Sequence, residues 1–270
     1  LLTMLGVIIG VAAVIIMIAV SAGTEATISE QISGLGSNLI FISQSFGQGG
    51  FRPGGEMNEG LVYDDAQAIA DSVSGIDGVV VDQNSSETVR AQGTTLEDIS
   101  ILGTSSDFPE VRDMVIASGR YFNQTEVDRK TKVAILGSSL AEELFGSASP
   151  IGQTLTVGNT KLGVIGVFEE KGSTGGTSYD DYLFTPITVV FQKFTPSFMA
   201  RVMGDRVRMI YAKVDENHDM DDVILQIKIL LAKRHNAALE DNRFSVTTQN
   251  DIIETQESTT AAFRSLLGWV

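Results

Sequence analysis

Apolar residues fall along this chain in three textures: an unbroken run, then alternating and helical periods, then a helical period again at the end. From Leu1 to Thr24 no residue is charged, and Leu5 to Val20 is almost wholly Val, Ile, Ala, Met and Gly. About 20 such residues in a helix cross a hydrocarbon core of about 30 Å. The helical spacing continues past Val20 through Ala26, Ile28, Ile32 and Leu35, with Glu25, Ser29, Glu30 and Gln31 between them, until Gly34 and Gly36 stop it. A helix over 3–33 would be roughly 45 Å long and stand about 15 Å clear of the bilayer. Residues 1–36 are therefore predicted as a transmembrane helix and stalk. Gly6 and Gly10 form a G-x-x-x-G pair that lets a second membrane helix approach closely. A cleaved signal peptide is the alternative, with Val20, Ser21 and Ala22 as the small residues, but the run exceeds the usual apolar length of about 7–15 residues.

Two similar units follow. Asn38–Ser43 reads as a strand, Asp64–Val73 as a helix with apolar Ala66, Ile69, Ala70 and Val73 on one face, and Val79–Val81 and Glu87–Gln92 as strands. Near the far end, Val207–Val214 alternates as a strand. Met220, Val223, Ile224, Ile227, Leu230 and Leu231 form the apolar face of a helix reaching His235, and Phe244–Thr248 is a strand again. These are two βαβ halves, 37–93 and 206–249, of a mixed α/β layer with helices on one face of its sheet. The Gly-rich stretch 45–60 between the first strand and helix is a loop, having no periodic apolar face to bury.

Residues 94–205 have a different texture. Short β runs at 99–103, 115–116, 132–136, 154–157 and 162–168 are punctuated by helices at 138–145 and 186–194, with 171–176 as the most flexible-looking loop. This region reads as an inserted small α/β subdomain. From 250 to 270 the helical pattern returns with Ile252, Ile253, Ala262, Phe263, Leu266 and Leu267, ending in Trp269. Two readings stay open there: a second transmembrane helix beginning, for which an interfacial Trp is apt, or a soluble helix docked on the domain.

Charge sets orientation and excludes partners. The first basic residue is Arg52, preceded by only Glu25 and Glu30, so the flank after about residue 21 belongs outside the cytoplasm. With 19 Lys+Arg against 34 Asp+Glu the chain has a formal charge of −15, and no stretch offers the basic stripe that nucleic acid requires. There is no cysteine and there are two histidines, His218 and His235, which removes disulfides, thiolate metal sites and a cysteine nucleophile. The first residue is Leu1, so a fragment or processed chain is expected.

Candidate chemistry thins out on inspection. No G-x-S-x-G, P-loop or G-x-G-x-x-G motif occurs. Asp215, Asn217 and Asp219 imitate the start of a calcium loop, but Met220 stands where glycine is needed and Gln226 where a bidentate Glu is required. Asp219 is read instead as a helix cap followed by Asp221 and Asp222, and His235 as a partner for the helix C-terminus. The pairs Asp64/Asp65, Glu142/Glu143, Glu169/Glu170 and Asp180/Asp181 are read as solvated surface. Asn84 and Asn123 head glycosylation patterns that have meaning in a eukaryotic secretory pathway. No catalytic residue, metal site or cofactor is predicted.

Six segments in order, LTMLGVIIGVAAVI, QISGLGSNLIFI, SGRYF, KVAILGSSLAEELFG, SPIGQTLTVGNTKLGVIGVFEEKG and FRSLLGW, resemble MacB-type (FtsX-like) ABC transporter permeases from end to end. The resemblance implies a first membrane helix, a porter-like domain made of the two βαβ halves, the inserted subdomain, and further membrane helices beyond residue 270. It implies a non-catalytic permease in the inner (plasma) membrane, dimerising with a second copy and paired with a cytoplasmic ABC ATPase, separate or fused. An extracytoplasmic adaptor is a further implied partner. A single-anchor ligand-binding or sensor module without an ATPase is the competing class, and a secreted enzyme a third.

Overall fold

The computed structural model describes residue 4 and residues 38–45, 60–174, 177–195, 204–238 and 243–268. The expected first membrane helix and stalk (1–36), with Gly6 and Gly10, lie outside the described residues, as do most of the Gly-rich loop and Trp269. Among the described residues no helix is long and apolar enough to cross a membrane.

In chain order the elements are β1 (Leu39–Gln44), α1 (Tyr63–Ser72), β2 (Ile76–Ala91), β3 (Thr94–Thr104), α2 (Phe108–Val111), β4 (Ile116–Gly119), α3 (Gln124–Asp128) and β5 (Val133–Leu136). Then come α4 (Ser138–Phe145), β6 (Thr154–Val157), β7 (Thr160–Phe168), a small hairpin of β8 (Ser173–Thr174) and β9 (Thr177–Ser178), β10 (Leu183–Pro186) and α5 (Ile187–Lys193). The chain finishes with β11 (Met209–Val214), α6 (Met220–Arg234), β12 (Phe244–Thr248) and α7 (Gln249–Gly268).

The strands run in the order β12-β1-β11-β2-β3-β10-β5-β7-β4, and β6 pairs with both β2 and β7. Two arms can be traced in this sheet. The first is the antiparallel array β12-β1-β11-β2. The second closes on itself: β2-β3-β10-β5-β7-β6 returns to β2 through Val89↔Val157 and Arg90↔Thr156, a six-stranded barrel. Its interior is filled by alternate positions of each strand, as closure demands: Val89 and Ala91, Ile101, Leu183, Ala134 and Leu136, Leu162 and Val164, Leu155 and Val157. Leu140, Leu144 and Phe145 of α4 and Val189 and Val190 of α5 complete the same core. The intervening positions of the barrel wall, Leu102, Val133, Ile135 and Phe184, face a second core that is continuous with the first arm.

Two features departed from the sequence expectation. Residues 76–91 make one 16-residue strand where two short ones with a polar break were expected. The polar stretch Asp82–Ser86 is fully paired with Ser100–Thr104, so ladder hydrogen bonds override its weak β-propensity. The turn that follows puts Gln92 at φ 49° and Gly93 at φ 88°, the left-handed pair of a tight hairpin. The region 94–205 is less a layered α/β unit than a barrel wall, since β3, β10, β5, β7 and β6 all join the closure.

The first arm is covered on both faces. Gly78 lies so close to α2 that a β-carbon there would sit 2.8 Å from Val111. Alternation places Phe41, Val80, Asp82 and Tyr211 on the same face, where Phe41 and Tyr211 meet edge to face at 5.6 Å. The opposite set, including Ile40, Ile42, Val79, Val81 and Ile210, is equally buried, under α1 and α6. Helices thus cover one face as expected, and the short α2, unforeseen in the sequence, covers the other. Helix α6 is capped by Asp219, which accepts from the Asp221 N–H at 2.8 Å, with Lys233 and Arg234 at its C-terminal end.

Helix α3, also unforeseen, is held by a reciprocal cap: Asn123 accepts from the Glu126 N–H and Glu126 accepts from the Asn123 N–H, each at 3.0 Å. Arg120 grips both Glu126 oxygens at 2.8 Å. That pairing first, and the Asn123 N–H after it, hold the Glu126 carboxyl below the usual carboxylate range. A depressed folded value contributes stability above the ordinary carboxylate pKa, and the contribution is lost as pH falls through the lower folded value. Arg120 is 56% exposed, so solvent limits the effect to less than about 1 kcal/mol. Urea unfolding of Glu126→Gln is expected to match the wild type in acid and fall below it at neutral pH; a constant difference across the range would contradict this.

Candidate functional site

The two arms of the sheet meet at one residue. Along β2, Ile76–Asp82 pairs with β11 and Asp82–Ala91 pairs with β3, so Asp82 faces Met209 on one side and Thr104 on the other. Its side chain is 2% exposed. A carboxylate so buried must be compensated, and it is: Arg208 donates through Nε at 3.0 Å and also through Nη2, while the Tyr211 hydroxyl donates at 2.8 Å. Burial pushes the Asp82 carboxyl above its ordinary value, opposed first by Arg208, then Tyr211, and by the charge of Arg112. Burial, and then Asp82, push the Tyr211 phenol well up, so it remains a donor.

Arg112, the residue that ends α2, is 3% exposed. Its guanidinium carbon lies 4.7 Å from the Tyr211 ring centroid and 5.6 Å from that of Tyr179, distances at which a cation is drawn to aromatic faces. Nη2 donates to the Tyr179 hydroxyl at 3.0 Å. Nε and Nη1 are buried without a hydrogen-bond partner among the described residues. The neighbouring turn is braced by Lys171, whose Nζ donates to the Arg112 and Asp113 carbonyls at 2.6 and 2.8 Å. Burial, and then the charge of Arg112, lower the Lys171 pKa.

Among the acidic pairs read as surface, two members are core residues. Asp180 is 4% exposed and accepts the Lys171 and Gly172 N–H groups at 3.0 and 2.7 Å, fixing the base of the β8–β9 hairpin. Asp65 is 1% exposed and binds the Val62 N–H, Arg234 Nε at 2.7 Å and His235 Nε2 at 2.8 Å, tying α1 to the end of α6. His235 does end α6, as expected, but its carboxylate partner was not foreseen. The spacing Val62-x-x-Asp65, an N-terminal box before an apolar helix, was the available signal for Asp65; nothing local marked Asp82 or Arg112.

Asp215 accepts from the Asn217 N–H at 2.7 Å in a self-contained turn, with His218 3.9 Å away. An open cavity of about 370 Å³ beside it is lined by Asn38, Asp77, Lys213 and Asp215 to Asn217, without groups converging on a point. Among the described residues no group of His, Asp and Glu could hold a metal ion. The described site is thus a structural junction of buried charges.

The arm and the barrel together form a mixed α/β fold that solved structures share. The structure superposes on the periplasmic region of MacB from Actinobacillus actinomycetemcomitans with a TM-score of 0.68 at 22% identity, covering 86% of this chain and 98% of that one. It superposes on the extracellular domain of the noncanonic ABC-type transporter YknZ from Gram-positive bacteria with a TM-score of 0.61 at 20% identity, covering 78% of this chain and all of that one. The chain belongs to the MacB-like periplasmic core domain family, whose model matches residues 1–230. It is 32% identical to the macrolide export ATP-binding/permease protein MacB of Bdellovibrio bacteriovorus over 98% of this chain and 40% of that protein. It is 36% identical to the pyoverdine export ATP-binding/permease protein PvdT of Pseudomonas aeruginosa over 65% of this chain and 25% of that protein. The chain therefore spans about two fifths of the length of the curated MacB relatives it matches.

Proposed function

We propose that this chain is the first membrane helix and extracytoplasmic domain of a permease subunit of an ABC-type exporter. The observation that carries the reading is the likeness to export ATP-binding/permease proteins over 98–100% of the chain, membrane run included. In this reading residues 1–36 are membrane helix and stalk, and 37–93 with 206–249 form a porter-like domain. Residues 94–205 are its insertion, and 250–270 lead back into the bilayer. The domain lies outside the inner membrane from about residue 21, pairs with a second copy, and receives ATP-driven motion from a cytoplasmic ABC ATPase. An extracytoplasmic adaptor is its further partner. A continuous helix can pass a rigid-body displacement from bilayer to domain without a chemical site, which suits the junction of buried charges found among the described residues.

The coding DNA on either side tests this directly. In-frame reading is expected to reveal further membrane helices beyond residue 270 and an ATPase fused or adjacent. A stop soon after residue 270 with no ATPase neighbour would instead leave a single-anchor binding or sensor module. Gly6 and Gly10 are the proposed helix-contact pair. Replacing both with Leu is expected to weaken dimer cross-linking in membranes and lower export; unchanged dimerisation and export would remove them from the interface.

A further inference from the structure

Strand β2 is shared by both arms, and among the described residues no other strand pairs with strands of each. The two pairings are staggered so that they overlap at Asp82 alone. On the Ile76 side of it β2 belongs to the ladder of the first arm, and on the Ala91 side to the barrel, where Val89 and Arg90 also pair with β6, so Asp82 is the one position of β2 at which the arm and the barrel are joined. A register shift near Glu87/Val89 lies beyond it on the barrel side and one at Lys213/Val214 lies on the arm side.

At that point one buried carboxylate is held by one arginine, and a second arginine rests on the ring of Tyr211, which donates to the same carboxylate. Arg208, on the first arm, holds Asp82 through two donors while half of its own side chain stays in solvent. Arg112, which ends the helix α2 that packs on the first arm and is braced by Lys171 from the segment after β7, is buried, makes one side-chain hydrogen bond to Tyr179, and keeps Nε and Nη1 without partners among the described residues. Its guanidinium carbon lies 4.7 Å from the ring centroid of Tyr211, whose hydroxyl donates to the same Asp82 carboxylate at 2.8 Å. Unmade buried donors are costly, and native structures satisfy nearly all of them. A transfer of the carboxylate from Arg208 to Arg112 would satisfy both donors and release Arg208 to water, where a half-exposed guanidinium is readily solvated. The contacts that would slide during such a transfer are flat: Arg112 rests on the rings of Tyr211 and Tyr179, contributed by the arm and the barrel side respectively.

We propose that Asp82 is the latch of a hinge in β2, its carboxylate passing from Arg208 to Arg112 as the barrel rocks against the four-stranded arm. Two discrete ion pairs give two discrete arrangements, the requirement for a conformational switch. The latch goes beyond the transport reading and does not depend on it, since it is a property of this chain alone.

The chain contains no cysteine, so spin labels can be placed uniquely at Lys228→Cys on α6 and Glu143→Cys on α4, both exposed. Distances are read in the full chain diluted with unlabelled copies, so that pairs within one molecule dominate. Arg208→Met is expected to move the distribution to a second peak, because Asp82 then has Arg112 as its cation. Arg112→Met is expected to leave the first peak alone, and Arg208→Met is expected to have no further effect on an Asp82→Asn background. Distributions of Arg208→Met and wild type that superpose would overturn the latch, as would a shift that persists when Asp82 is Asn. Should Arg208→Met fail to fold by circular dichroism, Arg208→Lys keeps the charge but loses the forked grip. The second peak must then appear in part, and its absence overturns the proposal equally.

Discussion

Phe184→Ala is expected to be the most damaging single truncation in the described core, costing about 4 kcal/mol. The side chain is fully buried, and its ring centroid lies 4.8 Å from Phe168, 5.4 Å from Phe108 and 6.1 Å from Tyr179. It sits on the outer wall of the barrel, where β10 joins β3 and β5, and faces the core shared with the first arm. Its loss would therefore open a cavity between the two arms, and the rings around it come from strands and turns too constrained to collapse inward. For a chain of this size such a cost lowers the melting midpoint by roughly 10 °C. Val115→Ala is the matched control: that side chain is among the exposed large hydrophobics at 57%, and no more than about 0.5 kcal/mol is expected there. Equal losses in the two variants, measured by thermal or urea unfolding, would refute the placement of Phe184.

Asp65→Ala is expected to cost about 3 kcal/mol, through a different mechanism. Removing the carboxylate strips partners from the Val62 N–H, Arg234 and His235 in one step. The His235 side chain is 6% exposed and packs 4.7 Å from the Phe244 ring, so it cannot turn to water. Arg234 is 35% exposed and can, which keeps the cost at the lower end for a broken buried pair. Helix α1 should loosen from α6 before the barrel responds. Hydrogen exchange in Asp65→Ala is expected to accelerate first over Tyr63–Ser72, and protection unchanged there would contradict the assigned role.

How far the sequence disclosed this structure depended on whether a signal was local. Helices α4 and α6 were legible within a residue or so, because apolar spacing, Asp219 and the terminal His235 all agree. In α6 the apolar face named from spacing is the one that packs: Val223, Ile227 and Leu231 are buried and Met220, Ile224 and Leu230 half-buried, whereas Leu225 and Ile229, which lie off that face, are 53% and 47% exposed. The polar centre of β2 was read as a break because strand propensity says nothing of a partner strand, here Ser100–Thr104. Barrel closure was invisible for the same reason, resting on the pairing of Val89 and Arg90 with residues 67 positions or so further along. The candidate site was the least legible part. Asp82, Arg112, Tyr179 and Arg208 are scattered over more than a hundred residues, and each alone resembles ordinary surface. Asp65 and Asp180 read as solvated because adjacent carboxylates point apart on a helix or strand, yet each is buried against basic or backbone partners from distant or adjoining segments. The family resemblance, by contrast, was carried by ordered short segments and needed no geometry.

The proposed permease role requires this domain to move outside the membrane in response to ATP on the other side. The most direct test places a single spin label at Lys228→Cys in the full-length protein, any cysteine outside these 270 residues having been replaced, together with the proposed ATPase in a reconstituted bilayer, and reads the distance between copies. A paired distribution that shifts when a non-hydrolysable ATP analogue is added is the predicted result. A distribution identical with and without nucleotide, or no dipolar signal between copies, would contradict the account.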